Sequence, residues 1–244
     1  MDFGGTIGII TQARMTSTRL PGKILLDAAN VPLLKYHTDR LRISGLPVIV
    51  ATTTNREDDP VVAFCEREGL PFYRGSENDV LSRFYYAAIE NNLDVVVRVT
   101  SDCPLIDGNL ILEGVQTFLK QGEGRFYLAN GVKRTYPRGF DFEVFSFELL
   151  KEAFIKGISP AEREHVTPYL YSNPESNVIV IPFVNENDYS RFRITLDTPE
   201  DYELIKLLIE RFHCDEMDYK EIIKVMCDHP ELEKINAHIE QKKL

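Results

Sequence analysis

Three cationic side chains follow the first apolar run of the sequence. Arg14, Arg19 and Lys23 all lie in the stretch QARMTSTRLPGKILL. Arginine offers a planar fork of donors for bidentate phosphate contacts, and lysine is a compact point charge. Open α/β sheets bind ligands beyond the carboxyl ends of their strands, where this loop would begin. The loop therefore predicts a site for a triphosphate, while an exposed basic turn around Pro21 and Gly22 remains the alternative.

Two aspartates end apolar runs farther along the chain. Asp102 closes VVVRVTSD, and Asp197 closes FRITLD. If both runs are neighbouring parallel strands, their carboxylates emerge at the same edge, where one or two carboxylates suffice to hold Mg²⁺. Alternatively, Asp102 is a turn residue before Cys103, and Asp197 is part of the start of a helix. Because Thr198 and Pro199 already make a helix cap, Asp197 is left for another role.

The composition limits the classes of function. The chain has 244 residues and a formal charge of -10, which disfavours binding of nucleic acid or of anionic membranes. No apolar stretch approaches the roughly 20 residues that span a bilayer, and the acidic start MDFGG does not resemble a signal peptide. We expect a soluble, cytoplasmic protein. No cysteine spacing indicates a zinc site or a disulfide framework, so we expect reduced thiols at Cys65, Cys103, Cys214 and Cys227.

Strand and helix patterns alternate in the first half of the chain. Short β-branched runs predict buried, mainly parallel strands at residues 6–13, 46–53 and 94–100. Apolar residues spaced by three and four predict helices at residues 32–43, 58–68 and 79–92. Strand, helix and strand in this order indicate an α/β fold.

The second half predicts a more mixed arrangement. Further strands are expected at residues 125–130, 140–146, 177–184 and 192–196, and helices at 146–155 and 161–171. Two or three terminal helices are expected within 199–212, 219–228 and 231–243. No linker or repeat interrupts the chain, so we expect a single domain over residues 1–244. Its parts would be residues 1–125, residues 126–210 and C-terminal helices within 211–244; the family resemblance described below makes the first part the nucleotide-binding half and the second the acceptor-binding half with the second metal ligand.

Two common phosphate-binding loops do not fit the first cationic loop. A P-loop needs GxxxxGK[ST], whereas Gly22 and Lys23 are followed by Ile24 and no glycine stands five residues before Gly22. A dinucleotide fingerprint needs GxGxxG after a strand, but the early glycines lie before or inside the first apolar run.

An ordered set of motifs resembles one enzyme family. The motifs are QARMTSTRLPGKIL, ATTTNREDD, RGSENDVLSRFYYAA, VRVTSDCPLID, GFDFEVFS, EREHVTPY and RITLDTPEDY. They resemble the spore coat polysaccharide biosynthesis (SpsF-type) family, which belongs with the acylneuraminate and 3-deoxy-manno-octulosonate cytidylyltransferases. The resemblance covers residues 6–210. It implies a nucleotide-diphospho-sugar transferase fold (GT-A/Rossmann-like), a three-layer α/β/α sandwich with a mixed, mainly parallel sheet.

The resemblance also implies nucleotide and metal contacts. Arg14 and Lys23 would bind the triphosphate with help from Arg19, and Asp102 and Asp197 would hold Mg²⁺. The alternatives are structural: Ser76 and Asn78 can cap the following helix, and Asp79 suits the positive end of that helix. Arg83 can lie on its solvent-exposed face. The expected nucleotide contacts are Gln12, Ala13, Arg14, Arg19, Lys23, Ala51, Thr52, Thr53, Arg74, Ser76, Asp79, Arg83 and Asp102.

The resemblance implies transfer of CMP from CTP to an acceptor molecule. We expect that acceptor to bind to residues 126–210. Alternation in GFDFEVF places Asp141 and Glu143 on one face of a strand, as an ordinary edge strand also would. Ser159 and Glu162 have capping-box spacing, which predicts a structural role. A core position is equally open for His165. The candidate acceptor contacts are Arg138, Asp141, Glu143, Arg163, Glu164 and His165.

These residues lead to a Mg²⁺-dependent cytidylyltransferase that uses CTP and a small-molecule acceptor. The acceptor would be a sugar acid or a small phosphorylated molecule, with a role in surface polysaccharide or glycoconjugate biosynthesis. One alternative is a sugar-1-phosphate nucleotidyltransferase using UTP or another nucleotide, and another is a non-catalytic nucleotide-binding protein. A homodimer is also compatible with the apolar faces of the last helices.

Overall fold

Strands begin where the sequence has its β-branched runs. The structure, a computed structural model, describes residues 4–240. The strands are β1 (Ile7–Gln12), β2 (Asp27–Ala28), β3 (Val31–Pro32), β4 (Val48–Thr53), β5 (Phe72–Gly75), β6 (Val95–Thr100), β7 (Phe126–Ala129), β8 (Glu143–Ser146) and β9 (Ile179–Pro182). The three strands predicted in the first half are confirmed as β1, β4 and β6. Short β2 and β3, which form a separate antiparallel pair, were not predicted.

The main sheet has seven strands in the order β5-β4-β1-β6-β8-β7-β9. Strands β5, β4, β1 and β6 run parallel to their neighbours, as does the β7–β9 pair. Strand β8 is antiparallel to both β6 and β7. Because β1, β4 and β6 are parallel, their carboxyl ends and the loops that follow lie at one edge of the sheet. The predicted mixed, mainly parallel sheet is confirmed.

Helices cover both faces of this sheet. They are α1 (Leu33–Arg42), α2 (Asp59–Glu68), α3 (Val80–Glu90), α4 (Gly108–Leu119), α5 (Phe147–Lys156), α6 (Pro160–His165), α7 (Pro168–Ser172), α8 (Pro199–Glu210), α9 (Tyr219–Asp228) and α10 (Pro230–Asn236). Alternate strand residues face opposite layers: Ile9 packs with α1, α2, α4, α8 and α9, whereas Ile10 packs with α3, α5 and α7. This arrangement is the predicted three-layer sandwich.

The strand expected at residues 192–196 is absent from the structure. This segment is extended, but its only sheet-like pairing is an isolated bridge between Arg138 and Arg193. Its backbone bonds go instead to loops, from Ile194 N to Arg138 O and from Leu196 N to Asp102 O. Close contact requires Gly139, at φ 107°, because a Cβ there would lie 2.3 Å from the carbonyl oxygen of Ile194.

One helical prediction needs correction, and one helix was not predicted. Residues 161–171 form α6 and α7 and not one helix, since the chain breaks at Val166, whose φ is 72°. Pro168 reinforces the break because it lacks the N–H that would continue the helix. The sequence also gave no prediction for α4, whose first turn is capped by the Asp107 carboxylate.

The described C-terminal region contains the three helices α8, α9 and α10, in agreement with the prediction of two or three. The segment expected to be helical to residue 243 is helical only to Asn236, and residues 241–244 lie outside the described part. The division into functional halves stays a prediction. Within residues 4–240, no helix has the length and apolar character needed to cross a membrane.

Candidate active site

The cationic loop begins where β1 ends and turns back through Gly22. Gly22 adopts φ 70°, and its N–H donates to the carbonyl oxygen of Met15 at 2.9 Å. The loop is tied to neighbouring segments by bonds from Met15 N to Asp58 and from Thr16 to Glu77. This turn buries Lys23, whose side chain is only 11% exposed. Lys23 is therefore not part of a solvated basic turn.

Lys23 lies between the two aspartates that the sequence singled out. Its Nζ is 3.2 Å from Asp102 Oδ2 and 2.8 Å from Asp197 Oδ1. Burial disfavours the charged ammonium, but the two carboxylates outweigh burial and raise the pKa of Lys23. Two acids that are distant in the sequence thus converge on one cation.

Asp102 is held by uncharged groups as well as by Lys23. The Thr100 hydroxyl donates to Asp102 Oδ1 at 2.5 Å. The Asp102 carbonyl accepts from Leu196 N at 2.8 Å and from the Thr195 hydroxyl at 3.1 Å. Burial opposes ionisation of Asp102, but Lys23 and Thr100 lower its pKa overall. These backbone bonds, and not a parallel strand, bring Asp197 beside Asp102.

Asp197 is surrounded by arginines. Its Oδ2 lies 3.0 Å from Arg19 and 3.1 Å from Arg193. Arg193 in turn pairs with Asp201 at 2.8 and 2.9 Å, and Asp201 is fully buried. As predicted, Thr198 caps α8, in a capping box with Asp201. The start of α8 therefore orients the guanidinium that faces Asp197.

A first cavity of about 830 Å³ opens over the cationic loop. Glu164 and His165, expected on the acceptor side, line this cavity together with the loop. Burial, opposed by Glu164, lowers the pKa of His165. The cavity size lies within the usual range for small-molecule sites. The predicted residues that line it are Gln12, Ala13, Arg14, Arg19, Lys23, Arg83, Asp102, Glu164, His165 and Asp197.

Arg83 is buried and does not lie on a wet helix face. It is 1% exposed and donates to the carbonyl oxygens of Ser76 and Glu77. Burial, reinforced by the charge of Arg14, lowers the pKa of Arg83 to about 10. Its Nε is buried without a hydrogen-bond partner among the described residues. Arg83 thus offers a cation and a spare donor at the first cavity.

Several predicted nucleotide contacts do not reach this cavity. Arg74 bonds to the carbonyl oxygens of Thr53 and Asn55 and pairs with Asp59. Ser76 and Asp79 bond within the start of α3, where Asp79 is the cap. Three further predicted nucleotide contacts are fully buried within β4: Ala51, Thr52 and Thr53.

Arg163 also lies away from both cavities. It is 3.4 Å from Asp79, donates to the carbonyl oxygen of Phe154 and stacks over the Phe154 ring. The capping box between Ser159 and Glu162 is confirmed at the start of α6. The guanidinium of Arg163 therefore contacts other residues of the protein and does not line the cavity proposed for a ligand.

A second cavity of about 510 Å³ adjoins the first. It is lined by the predicted residues Arg138, Asp141 and Glu143. The residues shared by the two cavities are Arg98, Thr100, Asp102 and Asp197. The pair of aspartates thus stands at the junction of the two cavities.

Charged groups with spare hydrogen-bonding capacity line the second cavity. Arg98 pairs with Glu143, and Arg134 with Asp141, each at 2.5 Å. Arg98 Nε, Arg134 Nη1 and Glu143 Oε2 are nevertheless buried without hydrogen-bond partners in the described part of the chain. Burial and the nearby charge of Arg134 lower the pKa of Arg138. A ligand with an anionic group and hydroxyl groups would satisfy this surface.

Some residues of these cavities were missed by reasoning from the sequence. Arg98 interrupts the apolar run VVVRVT, and a charge inside a buried strand was a usable signal. Arg134 and Glu77 stand in polar segments, where nothing in the pattern distinguishes them. Arg193, which supports Asp197 without lining either cavity, interrupts the run FRITL and carried the same signal as Arg98.

The aspartate pair has the chemistry of a hard-cation site. Both carboxylates contact the same ammonium, so their oxygens converge on one point of positive charge. Carboxylates suit Mg²⁺, which completes its octahedron with water and phosphate oxygens. Among residues 4–240 there is no group of three or more His, Cys, Asp or Glu side chains able to hold a metal.

Comparison with known proteins gives consistent matches. A family model described as cytidylyltransferase matches residues 7–244. The structure of a cytidylyltransferase from Leptospira borgpetersenii is 38% identical, covers 98% of this chain and 100% of that chain, and has a TM-score of 0.89.

Two other matches extend the comparison. The spore coat polysaccharide biosynthesis protein SpsF of Bacillus subtilis is 34% identical over 212 residues, 83% of this chain and 85% of SpsF. A CMP:2-keto-3-deoxy-manno-octonic acid synthetase complexed with CTP has a TM-score of 0.60 at 19% identity, over 84% of this chain and 98% of that chain. The latter likeness concerns the fold alone. The resemblance drawn from the sequence motifs is confirmed.

Proposed function

Because the chain belongs to the cytidylyltransferase family, we propose that it transfers CMP from CTP to a small acceptor and releases pyrophosphate. The observation that carries this proposal is the position of Lys23, which lines the first cavity, between Asp102 and Asp197, which line both cavities. A lysine and two carboxylates at such a junction can neutralise a triphosphate and a divalent cation together.

In this proposal the first cavity holds CTP. Arg14 and Lys23 contact the phosphates, with Arg19 near Asp197 as a further cation. Lys23 is already charged, since its pKa is raised, and it moves from the carboxylates toward the phosphate oxygens when the nucleotide binds. A local group of cations in this way allows a chain of net charge -10 to bind a polyanion.

Asp102 and Asp197 are the proposed ligands of Mg²⁺. When bound, the ion would neutralise charge on the phosphates and polarise the α-phosphorus for attack. The chain itself orients both carboxylates through Thr100 and Arg193 and keeps Asp102 ionised. An acceptor oxygen then displaces pyrophosphate in line.

The second cavity is the proposed acceptor site. Arg134 and Arg138 suit a carboxylate or phosphate, and the spare oxygen of Glu143 suits a hydroxyl group. These contacts support a sugar acid or a small phosphorylated molecule as acceptor. The B. subtilis relative is named for spore coat polysaccharide biosynthesis, which supports a role in surface polysaccharide or glycoconjugate synthesis.

Pyrophosphate release tests the proposal directly. The protein is incubated with Mg²⁺ and CTP, UTP, ATP or GTP, against a panel of sugar acids, sugar phosphates and other small phosphates. We expect release with CTP and loss of at least about 100-fold of the rate in Asp102→Asn, because metal-ion stabilisation is worth several kcal/mol. Asp228→Asn, an exposed aspartate paired with Lys224 on α9, is the matched control.

Nucleotide binding gives a second readout that needs no acceptor. CTP at about 100 times its dissociation constant should raise the free energy of unfolding by roughly 2.7 kcal/mol. Stabilisation by UTP with Mg²⁺, without any by CTP, would contradict the cytidylyl assignment. Full activity of Asp102→Asn would contradict the metal assignment.

A further inference from the structure

A buried histidine lies beneath the loop that carries Asp102. His37, on α1, is fully buried, and both of its ring nitrogens have partners. Nε2 is 2.8 Å from the hydroxyl of Thr11, and Nδ1 is 2.9 Å from the carbonyl oxygen of Cys103. Neither His37 nor Thr11 lines either of the two cavities described above, so the histidine reaches the site through the neighbours of its partners, Asp102 beside Cys103 and Gln12 beside Thr11.

The partners of His37 determine which nitrogen carries the proton. A carbonyl oxygen only accepts, so Nδ1 is protonated and donates to Cys103. Burial lowers the pKa of His37 to about 4, so the ring is neutral at physiological pH. Nε2 therefore accepts from the Thr11 hydroxyl. The donors thus run in one direction, from β1 through α1 to the loop after β6.

This chain of bonds adds a second restraint on the backbone at Asp102, through the carbonyl group of the next residue. The Asp102 carbonyl is held by Thr195 and Leu196, and the next carbonyl, that of Cys103, accepts from both His37 and Ile106 N. Consecutive carbonyls of the loop are therefore fixed from two directions.

We propose that His37 is a positioning residue, which sets the Asp102 carboxylate relative to the cationic loop by holding the Cys103 carbonyl against β1. Thr11 immediately precedes Gln12, where β1 ends and the cationic loop begins. The same bonds therefore connect the phosphate-binding side of the site to the carboxylate side. This inference rests on the proposed function, because Asp102 is there a ligand of Mg²⁺.

Two substitutions at position 37 separate positioning from simple core packing. In His37→Asn the amide can occupy the place of Nδ1 and keep the bond to Cys103, but it does not reach Thr11. In His37→Gln the longer amide reaches the place of Nε2 and keeps Thr11, but it loses Cys103. Both variants lose the imidazole ring from the same buried position.

The measurement is the Mg²⁺ concentration that gives half of the Mg²⁺-dependent thermal stabilisation by CTP. Loss of an outer partner of a metal ligand typically costs 10–100-fold in metal affinity, so we expect a rise of about tenfold in His37→Gln. His37→Asn, which keeps the bond to Cys103 and loses only that to Thr11, should show a smaller rise, and CTP affinity without Mg²⁺ should be unchanged in both. Equal midpoints for the two variants would overturn the inference.

Asp102→Asn and Thr11→Val complete the test. If Asp102→Asn leaves the Mg²⁺ response intact, the proposed metal site fails; if it removes the response and His37→Gln does not shift the midpoint, only the positioning role fails. Thr11→Val removes the hydroxyl that orients the ring and provides the test should His37→Gln not fold. We expect a smaller rise of the midpoint in Thr11→Val, and no rise would overturn the inference.

Discussion

The two carboxylates that meet at Lys23 are supported in opposite ways. Asp102 is oriented by uncharged donors, the Thr100 hydroxyl among them, and its backbone by Thr195 and Leu196. Asp197 faces two guanidinium groups, Arg19 and Arg193. A neutral donor positions a carboxylate while leaving its charge, whereas a guanidinium also offsets that charge. We infer that Asp102 attracts an added cation more strongly than Asp197 does. The charge of Asp197 instead offsets that of the neighbouring arginines.

The largest expected effect is on the charged support of Asp197. Asp201→Ala removes the bidentate partner of Arg193 from a fully buried position. Breaking a buried ion pair by removing one partner typically costs about 3–5 kcal/mol, so we expect a loss of that order in the free energy of unfolding. Urea denaturation measures it. A loss below about 1 kcal/mol, the usual value of an exposed pair, would contradict the contrast.

The pH dependence of stability gives a control with the isosteric variant Asp201→Asn. Burial opposes ionisation of Asp201, but Arg193 and Asn236 lower its pKa overall. Its stabilising contribution is therefore complete above the unfolded pKa of about 4 and is lost as the pH falls toward the folded pKa. The variant should lack that part of the acid-induced loss, and the same acid slope in both proteins would refute the assignment.

An intermediate effect is expected when the two aspartates are compared directly. Asp197→Asn removes the charge that Arg19, Arg193 and Lys23 share, whereas Asp102→Asn removes one of the two carboxylates paired with Lys23 and affects no arginine pair. We therefore expect CTP without Mg²⁺ to bind about tenfold more tightly to Asp197→Asn than to Asp102→Asn, a difference of about 1.4 kcal/mol.

Calorimetric titration of both variants in chelator measures this difference. The Asp228→Asn protein should bind like the wild type. Equal affinities for the two active-site variants would show that the arginines do not turn toward the phosphates.

The smallest effect is expected at one of the uncharged supports of Asp102. Thr195→Val keeps the side-chain shape and removes a hydroxyl that donates to the Asp102 carbonyl at 3.1 Å. A neutral hydrogen bond contributes about 0.5–1.5 kcal/mol, and Leu196 N still occupies the same carbonyl. Denaturation should show a loss at the low end of that range. A loss as large as that of Asp201→Ala would mean that neutral and charged supports do not differ.

Much of the fold could be predicted from periodicity. The β-branched runs of β1, β4 and β6 are buried on both faces, and this pattern survives in the sequence. The segment 192–196 is also largely apolar, but its backbone bonds to loops, and apolar character does not determine which backbone groups will accept those bonds. Helix α4 was missed although Asp107 caps it, because the cap lies in a loop that reads as a turn.

The site was predictable where residue type alone identifies the chemistry. Lys23, Asp102 and Asp197 converge as expected, yet Asp197 is brought there by the Asp102 carbonyl and not by a strand. Arg163 has the right chemistry but turns to Phe154 and Asp79, a choice made by tertiary packing. The roles of Thr52 and Arg74 at the nucleotide stay predictions.

Asn236, on α10, donates to the Arg193 carbonyl at 2.9 Å and to Asp201 Oδ1 at 2.8 Å. Helix α10, which follows Asp197 by more than 30 residues, thus completes the hydrogen-bond network that orients Arg193 toward Asp197. Domains generally fold as units, so the orientation of Asp197 depends on the chain as far as Asn236. Helix α10 is therefore a support of the active site, although it lies outside both cavities.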